Sequence, residues 1–256
     1  MDSEKKSVYN KKIITLNENL GGAGGFYEGE KYALQLQNID WIMISDDDAY
    51  PMPDYLLGLK ESISNIANDD VALICGRVEE NHNCVNMHRA ILKTKWKWNF
   101  REEISLQAYN NPCIEIDFAS YVGILVRKSV LDKVVLVNKD YFIWNDDTEH
   151  CYRIKKIGRM ICFPKYCVIH DAENENNSLS WKTYYGIRNN TFFIKNNFPF
   201  QSIFVISIFF IKSLLSPLKG NSIVFSKVRL TALIDGLFGR LGKHNIYKPG
   251  WKQKKY

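Results

Sequence analysis

Apolar and polar segments alternate along roughly the first eighty residues with the lengths expected of strands and helices. Val8–Leu16 ends in a β-branched run and predicts a strand, whereas the apolar spacing of Phe26–Gln37 predicts a helix. The short apolar run Asp40–Ser45 predicts a buried parallel strand. A helix over 54–67 and a strand over 71–75 continue the alternation. The pattern therefore predicts an α/β fold with a mostly parallel central sheet flanked by helices.

The middle of the chain is less regular. Residues 81–112 are rich in asparagine and aromatic residues but weak in periodicity, and they predict an irregular insertion. Strand-like residues return over 114–126, and a helix is predicted over 149–157, which ends at a glycine. Apolar segments at 161–164 and 167–170 then predict the strands that close the sheet.

The last sixty residues have a different character. The apolar run 203–211 is ended by Lys212 and is shorter than the roughly 20 residues that cross a bilayer. A membrane-surface or re-entrant element and a buried helix both fit this run. The tail Lys243–Tyr256 is basic with interspersed aromatic residues, which suits anionic headgroups, although a solvated tail has the same composition. We therefore predict a main domain over 1–195 and a helical, membrane-associated segment over 196–256.

Composition narrows the class of protein and its partners. The 256 residues are 46% hydrophobic, 13% aromatic and 24% charged, which excludes a disordered chain. The formal net charge of +6 favours anionic partners, among which nucleotides, anionic lipid and nucleic acid all qualify. Six cysteines lie at irregular spacings, and the charged segment Met1–Lys6 has no apolar stretch of an export signal. We expect reduced thiols and a cytoplasmic protein.

Three consecutive aspartates, Asp46, Asp47 and Asp48, follow the predicted strand Asp40–Ser45. Their mutual repulsion favours a bound cation, and Mg²⁺ or Mn²⁺ prefers such oxygen ligands while also binding substrate phosphates. Asp46 and Asp48 are the expected metal ligands, and Asp47 is expected to contact a ribose or to orient the other two. A solvated acidic turn is the alternative.

A glycine-rich segment, Asn19–Gly25, precedes the first predicted helix. Glycines allow a diphosphate to approach the backbone closely, and the following helix presents unpaired N–H groups. The segment lacks the lysine of a P-loop and the spacing of a dinucleotide-binding motif. A diphosphate site and a plain turn therefore both remain open.

A second acidic pair, Asp146 and Asp147, follows an aromatic run and opens a predicted helix. Two neighbouring carboxylates can raise the pKa of one of them, as a general base requires. Helix capping by Asp146 or Asp147 is the alternative, and the two roles can coexist. His170 ends an apolar strand and can bind a metal or simply terminate the strand. Arg188 can reach a diphosphate or lie on a surface helix. The other histidines, among them His88 and His150, receive no role.

Taken together, these motifs resemble the family 2 glycosyltransferases of the GT-A fold, and particularly their galactofuranosyl- and rhamnosyltransferase branch. The resemblance covers about residues 13–190 and is carried by Asn19–Phe26, Asp46–Asp48, Asp117–Phe118 with Gly123, Phe142–Glu149 with Arg153, His170, and Tyr185–Asn189. The segment 235–243 is also similar to the end of such bacterial enzymes. The combination of these motifs is far more specific for the family than any single motif.

The resemblance implies a Rossmann-like GT-A catalytic domain and an inverting sugar transfer. By analogy, the divalent ion is held by Asp46, Asp48 and His170, Asp147 is the base with Asp146 as its rival, and the donor site includes Asn19, Gly24, Gly25, Asp47 and Arg188. The implied donor is UDP-galactofuranose or dTDP-rhamnose. The implied acceptor is a lipid-linked or oligosaccharide hydroxyl used for bacterial surface polysaccharide, such as O-antigen or capsule. We expect the sugar transfer to take place at the inner face of the cytoplasmic membrane, and we expect no nucleic-acid partner.

The sequence departs from the family pattern in two places. Glu28 stands where many relatives have an arginine, and the usual first strand, helix and strand, which hold the nucleotide base, are not recognised before residue 13. We therefore expect an N-terminally truncated catalytic domain. Two alternatives follow: a catalytically impaired fragment that acts as a binding partner, and a metal-dependent nucleotidyltransferase or phosphatase that uses the same aspartates.

Overall fold

The computed structural model describes residues 11–64, 70–171 and 179–253. Over these ranges the chain folds into an α/β structure. Its helices are α1 (Gly21–Ala33), α2 (Tyr55–Ser64), α3 (Lys128–Leu131), α4 (Asp146–Ile154), α5 (Trp181–Asn197), α6 (Pro199–Leu214) and α7 (Ile223–Leu237). Its strands are β1 (Trp41–Ile44), β2 (Ala49–Pro51), β3 (Val71–Glu80), β4 (Asn83–Val85), β5 (Arg89–Leu92), β6 (Arg101–Glu103), β7 (Ile114–Ile116), β8 (Phe118–Ala119), β9 (Ile124–Arg127) and β10 (Arg159–His170).

The central sheet is mixed, so the prediction of a mostly parallel sheet was wrong. Its strand order is β1-β9-β3-β10-β2, with β4 paired to β3 and β7 paired to β10. Within the described residues only β3 and β10 pair in parallel. The crossover through α2 does carry β1 and β3 in the same direction, but β9 lies between them and runs opposite to both. Two strands joined by a helical crossover are expected to run in the same direction, as β1 and β3 do. The apolar pattern does not show that β9 lies between them.

Two further predictions were corrected. Residues 11–16 form no strand, and residues 8–10 of that predicted element lie outside the described ranges. Residues 81–112 are not simply irregular, because β5 pairs with β6 and β8 in a second sheet of three strands. Pro164 separates the two predicted closing strands in the sequence, yet both belong to β10, which absorbs the proline through a register shift between Phe163 and Cys167.

The core lies on both faces of the central sheet. On one face, Tyr55 and Leu59 of α2 pack with Val78 and Val168 in one apolar cluster. On the other face, a larger cluster joins the sheet to α4 and to the C-terminal helices. The Tyr55 hydroxyl also accepts a hydrogen bond from Gly76 N at 2.9 Å, which satisfies this buried polar group.

The C-terminal helices pack against the rest of the fold. Phe193 and Phe198 belong to the larger cluster together with residues of the central sheet, and the ring of Phe209 stacks on Trp98 with centroids 3.6 Å apart. No helix in the described part of the chain is long and apolar enough to cross a membrane. The apolar run 203–211 is instead the middle of α6, which packs against α5 and α7.

Candidate active site

The aspartate triad lies where β1 ends beside the end of β10. Asp46 N donates a hydrogen bond to Tyr121 O at 2.9 Å, and Asp171 N donates to Asp48 O at 2.9 Å. Strand β2 follows the triad at once and pairs with β10 so that Ala49 faces His170. The sheet register therefore places Asp48 next to a histidine more than a hundred residues away in the sequence.

Asp46, Asp48 and His170 are placed so that they can hold one cation. One side-chain oxygen or nitrogen of each lies within 4.8 Å of the others, and His170 Nε2 is 3.3 Å from Asp48 Oδ1. Burial, followed by the charge of Asp48, raises the pKa of Asp46 to about 6. A divalent ion relieves this repulsion, and two carboxylates with one imidazole suit Mn²⁺ or Mg²⁺. The residues present therefore fit the metal that the family resemblance implies.

A second layer of polar side chains supports His170, and the sequence did not reveal it. His170 Nδ1 lies 2.8 Å from Glu80 Oε1, which also lies 2.9 Å from His88 Nε2, and His88 Nδ1 lies 2.7 Å from Ser120 Oγ. A carboxylate on one ring nitrogen of a histidine fixes which nitrogen faces a metal. Glu80 is thus a positioning residue for His170, and no pattern around it in the sequence signals this contact.

We expect the substitution Glu80→Gln to lower the affinity for Mn²⁺ about 10- to 100-fold, because the orienting carboxylate is lost while the three ligands remain. Calorimetric titration of Mn²⁺ in the presence of UDP measures this change. Glu79→Gln is the matched control, because Glu79 pairs with Arg77 instead of a histidine. Equal Mn²⁺ affinities for wild type and Glu80→Gln would remove the positioning role.

The second acidic pair lies close to the first triad. Burial, followed by the charge of Asp147 and then that of Asp46, raises the pKa of Asp146 to about 8. The charge of Asp147 in turn contributes to the raised pKa of Asp46. Two acidic clusters that are a hundred residues apart in the sequence therefore act on each other in one site.

The two members of this pair have different surroundings. Asp146 is buried, and its carboxylate accepts hydrogen bonds from backbone N–H groups at the start of α4. Asp147 is half-buried, and its Oδ1 accepts from the backbone and hydroxyl of Thr148, the latter at 3.1 Å. Burial also raises the pKa of Asp147, although the charge of Arg101 opposes this. Neither aspartate is the N-cap residue of α4, which is Asn145, so the capping hypothesis is corrected. The greater exposure of Asp147 leaves it more accessible to an acceptor.

The loop before α4 is held in an unusual conformation. Phe142, Trp144 and Asn145 all have φ between 63° and 66°, the left-handed region that side chains disfavour. The Asn189 side chain spans this loop, because its Nδ2 lies 2.9 Å from Tyr141 O and Ile143 O and 2.8 Å from Trp144 O. Such conformations persist when surrounding contacts fix them. Here the loop positions Asp146 and Asp147 beside the aspartate triad.

Arg188 lies beside this loop and not in the donor cleft. Its side chain is only 1% exposed, and its guanidinium donates to Tyr141 O at 2.9 Å and to Asp140 O at 3.3 Å. A further hydrogen bond joins it to Gly242 O at 2.5 Å. The prediction that Arg188 contacts a diphosphate is therefore corrected, since it is buried and donates to backbone carbonyls and to Asn189 Oδ1. The Tyr185–Asn189 motif holds the loop instead.

We expect Asn189→Ala to destabilise the fold by about 2–4 kcal/mol, because it leaves buried carbonyl groups of a strained loop without their donor. Urea denaturation measures the change. Asn190→Ala is the control, since Asn190 donates to Trp98 O at 3.2 Å and does not touch the loop. Equal losses in the two variants would show that the loop does not depend on Asn189.

The glycine-rich segment is not a loop. Helix α1 begins at Gly21, so the glycines form its first turns, and Asn19 Oδ1 accepts from Gly21 N at 2.9 Å. Gly24 is buried, and a Cβ there would lie 2.3 Å from the Cβ of Leu20, whereas a Cβ on Gly25 would meet open space. The predicted loop boundary was wrong because glycine disfavours helices in isolation, and packing overrides that preference here. Asn19 still lies just before the N-terminus of α1, where anions bind, and Gly25 is the fifth residue of that helix.

A buried polar pair lies behind the acidic site. Glu30 and His150 are both buried, with His150 Nδ1 3.4 Å from Glu30 Oε1, and the Tyr121 hydroxyl lies 2.5 Å from the same nitrogen. Burial raises the pKa of Glu30 to about 7, and burial followed by the charge of Arg153 lowers the pKa of His150 to about 3. Burial therefore favours the neutral form of both groups.

We expect the metal-free protein to lose about 1–2 kcal/mol of unfolding free energy as the pH rises from about 6.5 to 8. Asp146 and Glu30 have folded pKa values of about 8 and about 7, above those of the unfolded chain, so the folded state binds more protons in this window. Below it, the depressed pKa of His150 acts in the opposite direction. Urea denaturation with chelator at each pH tests this, and Asp146→Asn should flatten the slope. A flat wild-type curve contradicts the expectation.

An α/β fold that brings two acidic clusters and a histidine together at one end of a mixed sheet is consistent with the GT-A fold. The sequence matches the family described as Glycosyl transferase family 2 over residues 3–135, so the chain belongs to this family and is a glycosyltransferase. The predicted family is thereby confirmed, whereas the galactofuranosyl- or rhamnosyltransferase branch stays a prediction. The match includes Asp46–Asp48 and ends before Asp146 and His170.

Comparison with solved structures supports the fold. The chain is similar to GalNAc-T7, whose crystal structure contains UDP, GalNAc and Mn²⁺, with a TM-score of 0.51 and 10% identity over 87% of this chain and 44% of that chain. It therefore spans less than half the length of that neighbour. A weaker likeness to A197 from STIV has a TM-score of 0.41 and 12% identity over 59% of this chain and 68% of that one. No curated protein matches the sequence significantly.

Proposed function

We propose that the protein transfers a sugar from a nucleoside-diphosphate sugar to an acceptor hydroxyl with inversion at the anomeric carbon. One observation carries this proposal: Asp46, Asp48 and His170 can hold a cation, and the charge of Asp46 acts on Asp146 while the charge of Asp147 acts on Asp46. A diphosphate and an attacking hydroxyl need these two kinds of group side by side. A divalent ion, when bound, supplies charge neutralisation for the departing diphosphate.

The chain's own residues divide the remaining work. Asp147 accepts the proton of the acceptor hydroxyl, whose oxygen forms the new bond to the anomeric carbon while the bond from that carbon to the diphosphate oxygen breaks. Asp146 accepts backbone hydrogen bonds in the first turn of α4 and keeps Asp147 in place. The donor site is formed by Asn19, Gly24, Gly25 and Asp47. Arg188 acts only through the loop that it holds.

The finer assignment rests on the motifs and on the fold neighbour. The donor is UDP-galactofuranose or dTDP-rhamnose, and the acceptor is a lipid-linked or oligosaccharide hydroxyl in bacterial surface polysaccharide synthesis. The metal is Mn²⁺ or Mg²⁺, which the presence of UDP and Mn²⁺ in the GalNAc-T7 structure supports by analogy of fold. We place the protein in the cytoplasm at the inner face of the membrane, with the catalytic side chains within residues 1–195 and the membrane-associated segment within residues 196–256.

Calorimetric titration of UDP and dTDP with and without Mn²⁺ tests the donor site. We expect one nucleotide to bind only when Mn²⁺ is present, and the double variant Asp46→Ala/Asp48→Ala to lose that binding. Binding that is independent of metal, or equal in the double variant, would overturn the proposed site. Incubation with each sugar nucleotide and an oligosaccharide acceptor then separates transfer from pyrophosphate-bond cleavage, because transfer leaves the nucleoside diphosphate and a glycosylated acceptor whereas cleavage leaves a nucleoside monophosphate.

A further inference from the structure

The outward side of α6 is apolar although it faces solvent. Six large side chains of this helix are 53–65% exposed, and we call them the α6 face: Phe200, Ile203, Phe204, Ile208, Ile211 and Leu214. The opposite side of the same helix packs against the protein through Val205 and Ile206. A helix that is apolar all round requires a second apolar environment beyond its own fold.

The apolar surface extends beyond α6 on both sides. Trp96, which is 53% exposed, lies against Phe200 and Phe204 with ring centroids 5.9 Å apart in each case. In the other direction, Leu218 and Ile223 are 84% and 78% exposed. A tryptophan at the edge of an apolar surface is typical of the lipid–water boundary.

Charge distinguishes a lipid surface from another apolar partner. Asp235 is the only acidic residue from position 176 to the end of the sequence, whereas that stretch holds thirteen lysines and arginines. Lys212 and Lys219 are exposed on or beside the apolar surface. The rest of the chain has more acidic than basic residues, so the positive charge is concentrated in the part of the sequence that contains α6. Exposed apolar side chains with basic neighbours match anionic headgroups and acyl chains.

We propose that the α6 face docks the protein on an anionic lipid bilayer, with α6 lying in the interface parallel to the membrane plane. No helix of the described residues is long and apolar enough to span a bilayer, and the side of α6 that carries Val205 and Ile206 is already packed in the protein core. The inference deepens the membrane location of the proposed function, on which it rests. It does not require the transfer reaction, so the two fail separately.

Vesicle flotation of the full chain, without metal or sugar nucleotide, tests the docking face. Wild type is expected to bind vesicles of phosphatidylglycerol and phosphatidylcholine, to bind pure phosphatidylcholine at least about tenfold more weakly, and to lose affinity as salt rises. The variant Ile203→Ser/Phe204→Ser/Ile208→Ser/Ile211→Ser is expected to lose at least about tenfold in affinity. The matched control is Leu56→Ser/Leu57→Ser, which removes two exposed leucines of α2 and should bind as wild type.

Two further measurements keep the outcome clear. Circular dichroism and thermal melting establish that the fourfold variant is folded. Quenching of tryptophan fluorescence by brominated acyl chains, compared between wild type and Trp96→Phe, reports insertion without any change to α6. Wild type that ignores anionic vesicles, a fourfold variant that binds them equally, or an α6 face that instead forms a dimer in sedimentation experiments would each overturn the proposal.

Discussion

Asp147→Asn is expected to reduce kcat about 10²- to 10⁴-fold while leaving Mn²⁺-dependent UDP binding within about twofold of wild type. The amide keeps the size of the side chain and its contact with Thr148 but cannot accept the proton of the acceptor. Donor binding depends on the other acidic cluster and is therefore spared. Steady-state kinetics with a sugar nucleotide, alongside calorimetry with UDP, separates the two effects.

Asp146→Asn is the matched variant, because it changes the adjacent carboxylate with the same chemistry. It is expected to cost less activity, since an amide oxygen can still accept from the backbone at the start of α4. The acid limb of kcat/KM should also lie at higher pH than for an ordinary aspartate, because burial raises the pKa of Asp147. A greater loss of kcat in Asp146→Asn than in Asp147→Asn would exchange the two roles.

Gly21→Ala is expected to destabilise the protein by about 2–4 kcal/mol. Gly21 has φ of 73°, and a Cβ there would lie 1.9 Å from Phe142 O, so alanine brings both backbone strain and a clash with the loop that carries the acids. Gly25→Ala places a Cβ in open space within the same helix and should raise stability by up to about 1 kcal/mol. Urea denaturation compares the two.

The same pair of variants also tests the donor site. If Gly25 lines the diphosphate, Gly25→Ala raises the KM for the sugar nucleotide even though the fold is more stable. An unchanged KM would remove Gly25 from the donor site without affecting the metal site. A Gly21→Ala protein as stable as wild type would show that the contact with Phe142 is not needed.

The local parts of the site were predictable from sequence. An apolar run followed at once by Asp46, Asp47 and Asp48 specifies a strand end with carboxylates, because both signals lie within ten residues. The second pair was equally visible before a helix. By contrast, the contact between Asp48 and His170 depends on how β2 pairs with β10, and the support from Glu80 depends on β3 pairing with β10. Such long-range pairing leaves no periodic trace in a single sequence.

The errors have physical causes as well. The glycine run was assigned to a loop because glycine weakens isolated helices, yet Gly24 is packed against Leu20 inside α1. Arg188 was assigned to the ligand because arginine suits phosphate, whereas burial commits it to backbone carbonyls. The mixed sheet arose from the insertion of β9. In each case tertiary packing overrode a local preference.

The hydrogen bonds from α5 to the loop before α4 have a practical consequence for shortened versions of the protein. The family match stops at residue 135, and a chain cut there would retain the aspartate triad without His170 or either member of the second pair. Extending it to residue 171 would restore those side chains but not Asn189 and Arg188, which hold their loop. Since Arg188 in turn donates to Gly242 O, the smallest unit able to present a correctly placed base reaches at least to that glycine.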